Sequence, residues 1–339
     1  MPRSNATVAS VAEEAGVSTA TVSRVLTGSK IVSAAASQRV LAAVEKLRYS
    51  GNSIAKALRQ NSTGNIGMLV PSISNPFFTS LVEQVEHHLA GAGLNLFLCD
   101  SRNHVDVEAR RLLSLTEGSV DGILISPVDE THSQRALQRA FEIVPIVQID
   151  RRVETVDTDW VGLDDAHAMS TIAHHLRERG VKTAAFVTSI MGSSSARDRL
   201  DAARSSSAAV GIRMPSELTL DGDFSLEWGE TAADRLLALP IALPDAIICS
   251  DDLIALGLSR RLAERGVSVP GDVLVTGFDD IDYASFNVPS LTTLRQPLSQ
   301  IAAEAVRLLR ENIQANDRAT SQLALRGELI IRDSTRAKS

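Results

Sequence analysis

The run VAEEAGVSTATVSRVLTG, Val11 to Gly28, decides how the front of this chain folds. Read with the residues ahead of it, Val8, Val11, Ala12 and Ala15 recur at three- and four-residue steps, the spacing of one buried helix face. Gly16 breaks that face, and Ser18 supplies an oxygen able to cap the next helix. The second helix, Thr19 to Leu26, turns Val22, Val25 and Leu26 inward and stops at Gly28. A third begins near Ser33 and buries Val40, Leu41, Val44 and Leu47. Three short helices around one small core, with a tight turn at Gly16, predict a helix-turn-helix within residues 1–50.

Charge separates this front from the rest of the chain. Residues 1–60 carry eight Lys and Arg against three Asp and Glu, whereas residues 61–339 carry 26 against 38. A basic head suits a phosphate backbone and an acidic body repels one, so nucleic acid is expected at the head alone. A skewed short window, or a helical bundle that binds only protein, is the plainer alternative. If the second helix enters a major groove, Thr19, Ala20, Thr21, Ser23 and Arg24 are its outward side chains, with Thr19 and Ala20 at the end that meets base edges. Arg24 has the fork geometry to read guanine, and Ala20 can touch only a thymine methyl. Ser18 and Ser33, with the backbone amides at their helix starts, suit phosphate, which positions the module without specifying sequence.

After Gln60 the pattern changes. Apolar runs at Ile66 to Val70, Leu94 to Cys99, Gly122 to Ile125 and Val144 to Ile149 alternate with helical stretches near 76–91, 105–117 and 132–142. A second series follows: Ala184 to Val187, Ala246 to Cys249 and Val273 to Thr276, with helices near 165–179, 196–209, 229–238 and 252–265. Buried strands alternating with covering helices predict two successive α/β lobes. Ligands of such sheets sit beyond the carboxyl ends of the strands. The polar residues placed there are Asp150 and Arg151, Asp251 and Asp252, and Asp279 and Asp280. Carboxylates accept hydrogen bonds from hydroxyls and arginine donates them. Phe77, Phe78, Trp160 and Phe224 offer apolar faces for a ring, or pack in the core. Ile301, Ala305, Leu308 and Leu309 form an apolar stripe on a helix near 298–313 that belongs to the packing of the first lobe.

Several classes drop out. A chain of 339 residues exceeds one small module, and Cys99 and Cys249, its two cysteines, lie in apolar runs and cannot frame a disulfide scaffold. No apolar stretch reaches the length of a membrane helix, and the first residues lack the apolar segment of an export signal, so the cytoplasm is the expected location. The pairs His87, His88 and His174, His175 lack zinc-hydrolase spacing and read as surface polar residues. No nucleophile elbow or phosphate loop is present, so neither an enzyme, a metal nor a cofactor is expected.

VAEEAGVSTATVSRVLTG resembles the DNA-binding signature of the lactose-repressor (LacI/GalR) family of bacterial transcriptional regulators, and RYSGNSIAKALR, Arg48 to Arg59, resembles that family's hinge helix. The resemblance implies an N-terminal all-α helix-turn-helix DNA-binding domain followed by a two-lobed, periplasmic-binding-protein-like α/β domain. It implies that Thr19 and Ala20 are the principal base readers, that Asn52, Ala55 and Leu58 meet DNA from the hinge, and that Leu58 wedges into the minor groove. A hinge of about two turns is too short to be stable alone and orders only against a partner hinge and DNA. In the body, VTGFDDIDYASFNVPSLTTLRQP, Val275 to Pro297, carries the clearest resemblance. It implies effector contacts from Asp279, from Arg199 with Arg197 beside it, and from Asp150, Arg151, Asp251 and Phe224. The NPFF loop, Asn75 to Phe78, adds Phe77 and Phe78. Ser10, Ala36, Ser37 and Gly51 depart from the family pattern, which has an acidic residue, a Thr-Arg pair and a proline there.

The organisation so implied is a headpiece at 1–50, a hinge at 51–61 and a ligand-binding and dimerisation domain at 62–333. Its first lobe spans about 62–160 plus 291–321 and its second about 161–290 plus 322–333, with crossings near 160, 290 and 322. The implied function is a ligand-responsive repressor, homodimeric on a palindromic double-stranded operator and released by a small sugar-like effector, with sugar transport or catabolism genes as targets. A co-repressor-dependent or non-sugar-responsive regulator is the alternative reading, and a sugar receptor without a DNA role a further one. The tail after Asp333 is too short for the heptads of an added assembly helix, which leaves a homodimer as the simplest expectation.

Overall fold

The computed structural model describes residues 6–26, 32–47, 62–189, 192–314 and 319–336. Gly28 and the hinge, with Asn52, Ala55 and Leu58, lie outside the described residues. The chain divides into two compact units, Met1–Gly64 and Asn65–Ser339.

In the first unit, α1 (Val8–Ala15), α2 (Thr19–Leu26) and α3 (Ala34–Lys46) surround a small core. Ser10, where the family pattern has an acid, completes a reciprocal cap: its N–H donates to Thr7 Oγ1 at 3.2 Å, and the Thr7 N–H donates to Ser10 Oγ at 2.6 Å. The hydroxyl thus fills the capping role of a longer acidic side chain. Gly16 ends α1 at φ +63°, a left-handed conformation that favours glycine, and its N–H reaches the Ala12 and Glu13 carbonyls. Ser18 Oγ accepts the Thr21 N–H at 3.2 Å and starts α2. Val11, Ala12, Ala15, Val22, Val40 and Ala43 form the core, with Val8, Val25, Val44 and Leu47 packed at its edge. Leu26 and Leu41 are exposed, contrary to expectation. Leu41 lies about 100° around the helix from Val40, so the inward position falls to Ala43, and Leu26 ends its helix a turn beyond Val22.

The second unit holds two six-stranded sheets. The first lobe opens with β1 (Asn65–Val70), α4 (Pro76–Gly91), β2 (Asn95–Asp100), α5 (Val105–Thr116), β3 (Gly122–Ile125), α6 (Gln134–Phe141), β4 (Ile146–Ile149) and β5 (Asp159–Leu163). The second lobe contains α7 (Asp165–Glu178), β6 (Ala184–Ser189), α8 (Ser194–Ala209), β7 (Thr219–Gly222), α9 (Leu226–Ala238), β8 (Ala246–Cys249), α10 (Asp252–Glu264), β9 (Leu274–Asp279), α11 (Asp282–Phe286) and β10 (Thr292–Arg295). The chain returns to the first lobe for α12 (Leu298–Gln314) and β11 (Gln322–Leu325), then enters the second with β12 (Glu328–Ile330). The strand orders are β11-β5-β4-β3-β1-β2 and β12-β10-β9-β8-β6-β7. The β10–β12 pairing alone among these is antiparallel.

The central strands are apolar without alternation because helices cover both faces. β2, at a sheet edge, leaves Phe97 and Leu98 exposed. α12 lays Ile301, Ala302, Ala305 and Leu309 into the first-lobe core beside Phe78, Leu81 and Val85 of α4. In the second lobe α9 and α10 meet backbone to backbone. A Cβ on Gly257 would stand 2.0 Å from the Leu226 carbonyl oxygen, and one on Gly229 2.2 Å from that of Ile254.

The crossovers between lobes fall at 164, 296–297 and 326–327 rather than near 160, 290 and 322. β10 therefore belongs to the second lobe and β11 to the first, because β10 pairs with β9 and β11 with β5. A short strand's own residues do not state which sheet accepts it. His175 is buried, with Nε2 2.8 Å from Thr335 Oγ1, and is not the surface residue expected; the apolar neighbours Ile172 and Leu176 turn its helix face inward. Among the described residues no helix is long and apolar enough to cross a membrane.

Candidate functional site

In the first unit Thr19, Ala20 and Arg24 are exposed on α2, while Thr21 and Ser23 are half-buried. Of these three, Thr19 and Ala20 sit in the first turn, the end of a recognition helix that approaches base edges, and Arg24 in the last. Ser18 and Ser33 both cap helices, Ser33 accepting the Ala36 N–H at 3.4 Å.

In the second unit the cleft gathers most of the residues expected to meet an effector. Phe77, Phe78, Asp150, Arg151, Arg199, Phe224, Asp251 and Asp279 line one cavity with about 10 Å³ of free space, joined by Asn75 and Ser195. Strand ends and helix starts supply them. Asp150 follows β4 in a left-handed turn at φ +64°, Asp279 ends β9 at φ +103°, and Asp251 caps α10 by accepting the Ile254 N–H at 2.8 Å. Asn75 caps α4, accepting the Phe77 N–H at 3.0 Å, and so fixes the two phenylalanines behind it.

Arg199 organises this chemistry. It is 3% exposed, donates from Nε to Asp165 at 3.1 Å and from Nη1 to the Ser250 carbonyl at 2.8 Å, and stands 3.9 Å from both Asp150 and Asp279. Its guanidinium lies 3.9 Å from the Phe278 ring centroid. Burial works against that charge, but Asp165, Asp279 and Asp150 outweigh it and hold the guanidinium above its ordinary pKa. Arg151 lies between two aromatic faces, 5.4 Å from the Phe78 centroid and 5.0 Å from that of Phe224. Burial pushes Asp165 and Asp251 up to about 6 and Asp279 well above the ordinary carboxylate range. The buried atoms Arg151 Nε, Asp251 Oδ2 and Gln296 Oε1 have no hydrogen-bond partner among the described residues. The site thus offers unused donors and acceptors beside flat apolar faces, and among the described residues no group of acids, histidines and cysteines could hold a metal.

Arg197 does not line this cavity. It pairs with Glu130, with Asp198 at 2.9 Å and with Glu154 at 3.8 Å. Together with the Arg152 N–H donating to Ser194 Oγ at 2.9 Å and the Glu130 N–H donating to the Gly192 carbonyl at 2.8 Å, it ties the lobes at the cleft rim. Trp160 is also outside: its indole N–H donates to the Asp150 carbonyl at 3.0 Å, and Arg152 stacks on its ring. Asp280 pairs with Arg295 and Arg332. Asp165, Ser195 and Gln296, which donates to Asp279 at 2.7 Å, went unread, because nothing in their local spacing marks them as cleft residues.

Asp252 braces the crossover region beneath the site. Its carboxylate accepts the Thr293 hydroxyl at 2.6 Å and the Ile281 N–H at 2.9 Å, and burial pushes it up to about 8. An unfolded aspartate releases its proton near 3.8, so the folded chain holds an extra proton between about pH 4 and 8 and loses stability as pH rises through that window. Urea melts at pH 5, 6, 7 and 8 are expected to show this fall, and Asp252→Asn should make it shallower above pH 6, where Asp279 keeps its own share. An unchanged slope in the variant would rule Asp252 out as its source.

A model described as "Bacterial regulatory proteins, lacI family" matches residues 7–52, and one described as "Periplasmic binding protein-like domain" matches residues 173–335. The HTH-type transcriptional repressor PurR of Mannheimia succiniciproducens is 33% identical over 332 residues, covering 98% of this chain and 99% of its own. The ribose operon repressor of Escherichia coli K12 is 32% identical over 329 residues, covering 97% and 99%. The crystal structure of the lac repressor dimer bound to operator and the anti-inducer ONPF matches with a TM-score of 0.88 at 26% identity, over 98% of this chain and 100% of that one. Likeness of that order along nearly the full length, with both family models on the units where the geometry places a headpiece and a cleft, means that this chain belongs to the LacI family of bacterial regulatory proteins, a family of DNA-binding repressors rather than enzymes.

Proposed function

We propose that this repressor binds a symmetric operator as a homodimer and is switched by a small polar ligand bound between its lobes. The observation that carries the ligand reading is the pairing of unused buried atoms of both kinds, Arg151 Nε and Asp251 Oδ2, at one small cavity. A hydroxyl both donates and accepts, so a monosaccharide suits Asp150, Asp251 and Asp279 beside Arg151 and Arg199. The name PurR on several matched relatives supports the second reading more strongly, a nucleobase-like effector or one that acts as a co-repressor. The flat Arg151 guanidinium between Phe78 and Phe224 agrees with a planar occupant.

The two readings part in one titration. The operator selected from random duplexes is measured by fluorescence anisotropy with pentoses, hexoses and purine bases in turn. One class is expected to change operator affinity at least tenfold, weakening it if an inducer and tightening it if a co-repressor, since only unequal affinity for the two states moves the equilibrium. Ligand control is refuted if compounds that bind by calorimetry leave operator affinity unchanged. Operator affinity should also fall linearly with the logarithm of salt concentration, as phosphate contacts release counterions.

A further inference from the structure

An open groove of about 260 Å³ runs along the solvent-facing side of the first lobe between α5 and α6. Ala109, Ala136 and Ala140 form its floor, and Leu113 and Ile143 rise at its sides, 61% and 59% exposed. Ala109, Leu113 and Thr116 on one helix, and Ala136, Ala140 and Ile143 on and just past the other, recur at three- and four-residue steps, so each helix turns one stripe toward the groove. Single exposed leucines are ordinary on a protein surface, but two large apolar side chains over a floor of alanines make a patch. The alanines leave depth between the walls for an incoming side chain. None of the lining residues reaches the effector cavity, so the groove is a separate feature of the lobe.

Charge narrows the occupant. Arg110 lines the groove from α5 and Arg139 from α6, both exposed, and Arg135 lies one turn before Arg139. Among the described residues none of these three enters an ion pair, whereas Arg152, Arg197, Arg260, Arg295 and Arg307 all pair with carboxylates. Residues 61–339 hold 38 acids against 26 bases, so a cationic rim around an apolar floor stands out from the body that carries it. Asp106, Glu117 and Glu142, the exposed acids on and beside these helices, are not among the lining residues. Opposite potentials steer and orient partners, and acidic groups are the complement here. A phosphate backbone would use the arginines and leave the alanine floor and Leu113 bare, which favours a peptide over nucleic acid. α5 is 12 residues long. Its length, about 18 Å, matches roughly three turns of a second helix laid alongside, with anchors at i, i+3, i+4 and i+7. We propose that this groove docks an amphipathic helix of an acidic partner protein, its apolar anchors seated between Leu113 and Ile143 and its carboxylates on Arg110 and Arg139.

Two fluorescein-labelled helical peptides, titrated with the full chain and followed by anisotropy, test the assignment. Both carry leucines at i, i+3, i+4 and i+7, and the flanking positions hold glutamate in one and lysine in the other. The glutamate peptide is expected to bind at least tenfold more tightly, and Arg110→Glu with Arg139→Glu should reverse the order. Leu113→Asp should weaken the glutamate peptide at least tenfold. All three substituted side chains are exposed, so the variants should melt with the parent chain. A preference for glutamate that survives the double reversal belongs to the basic headpiece and overturns the proposal. Equal binding of the two peptides, or binding of neither, overturns it as well. A Leu113→Asp chain that changes its oligomeric state in sedimentation velocity would give the groove to a second copy of this chain and overturn the partner protein.

Discussion

Arg199→Ala is expected to destabilise the second unit by about 3–5 kcal/mol at neutral pH, the range for removing one partner of a buried ion pair. The reason is the company it keeps: Asp150, Asp165 and Asp279 all lie within 3.9 Å of its guanidinium, and the side chain is almost wholly buried. Without it, three carboxylates remain in a low-dielectric site with Arg151 as the nearest cation, and their proton affinities rise further than burial has already taken them. The folded variant then binds protons that the unfolded chain does not, so its stability recovers as pH falls. Urea melts at pH 7.5 and pH 5 should therefore show a large loss at the first and a smaller one at the second. An equal loss at both would assign the effect to the missing volume instead of the missing charge.

The second large effect concerns assembly. Phe286 is 80% exposed and Val288 91%, and with Tyr283 they flank a groove that also contains Leu226 and Leu256. A twofold interface uses the same patch on each protomer, so these two residues bury four side chains in all. If the twofold axis passes through this groove, roughly 1.5–3 kcal/mol for each large apolar side chain gives on the order of 6–12 kcal/mol of association. Phe286→Asp with Val288→Asp should convert the dimer to monomers at micromolar concentration in sedimentation velocity. Operator affinity should drop at least ~10³-fold, toward nonspecific binding, because one headpiece reads a single half-site. The exposed Phe97 and Leu98 on the β2 edge form a second apolar patch in the first lobe. A double variant that still sediments as a dimer would move the interface to that edge.

The departures within the site have local physical causes. Arg197 and Arg199 stand two residues apart on α8, about 200° around the helix, so only one of them can face the cavity. Helical periodicity could have separated them; what it could not say is which one faces inward. Trp160 lies in β5, fully buried between two neighbouring strands, and its indole secures the backbone of Asp150 instead of facing a ligand. Ser10 departs from the family pattern yet restores the same cap with a shorter side chain.

Local spacing was sufficient for the headpiece's three helices, caps and Gly16 turn, which act within a few residues of one another, but not for Leu26 and Leu41, which stand exposed. It also put Asp150, Asp251 and Asp279 near strand carboxyl ends, but could not separate them from Asp252 and Asp280, which pair away from the cavity. Only the tertiary structure decided that Asp165 holds Arg199, that Gln296 holds Asp279, and that β10 and β11 exchange lobes relative to expectation. Those outcomes depend on pairings between segments far apart in the chain, and a side chain's neighbours along the backbone carry no record of what folding brings against it.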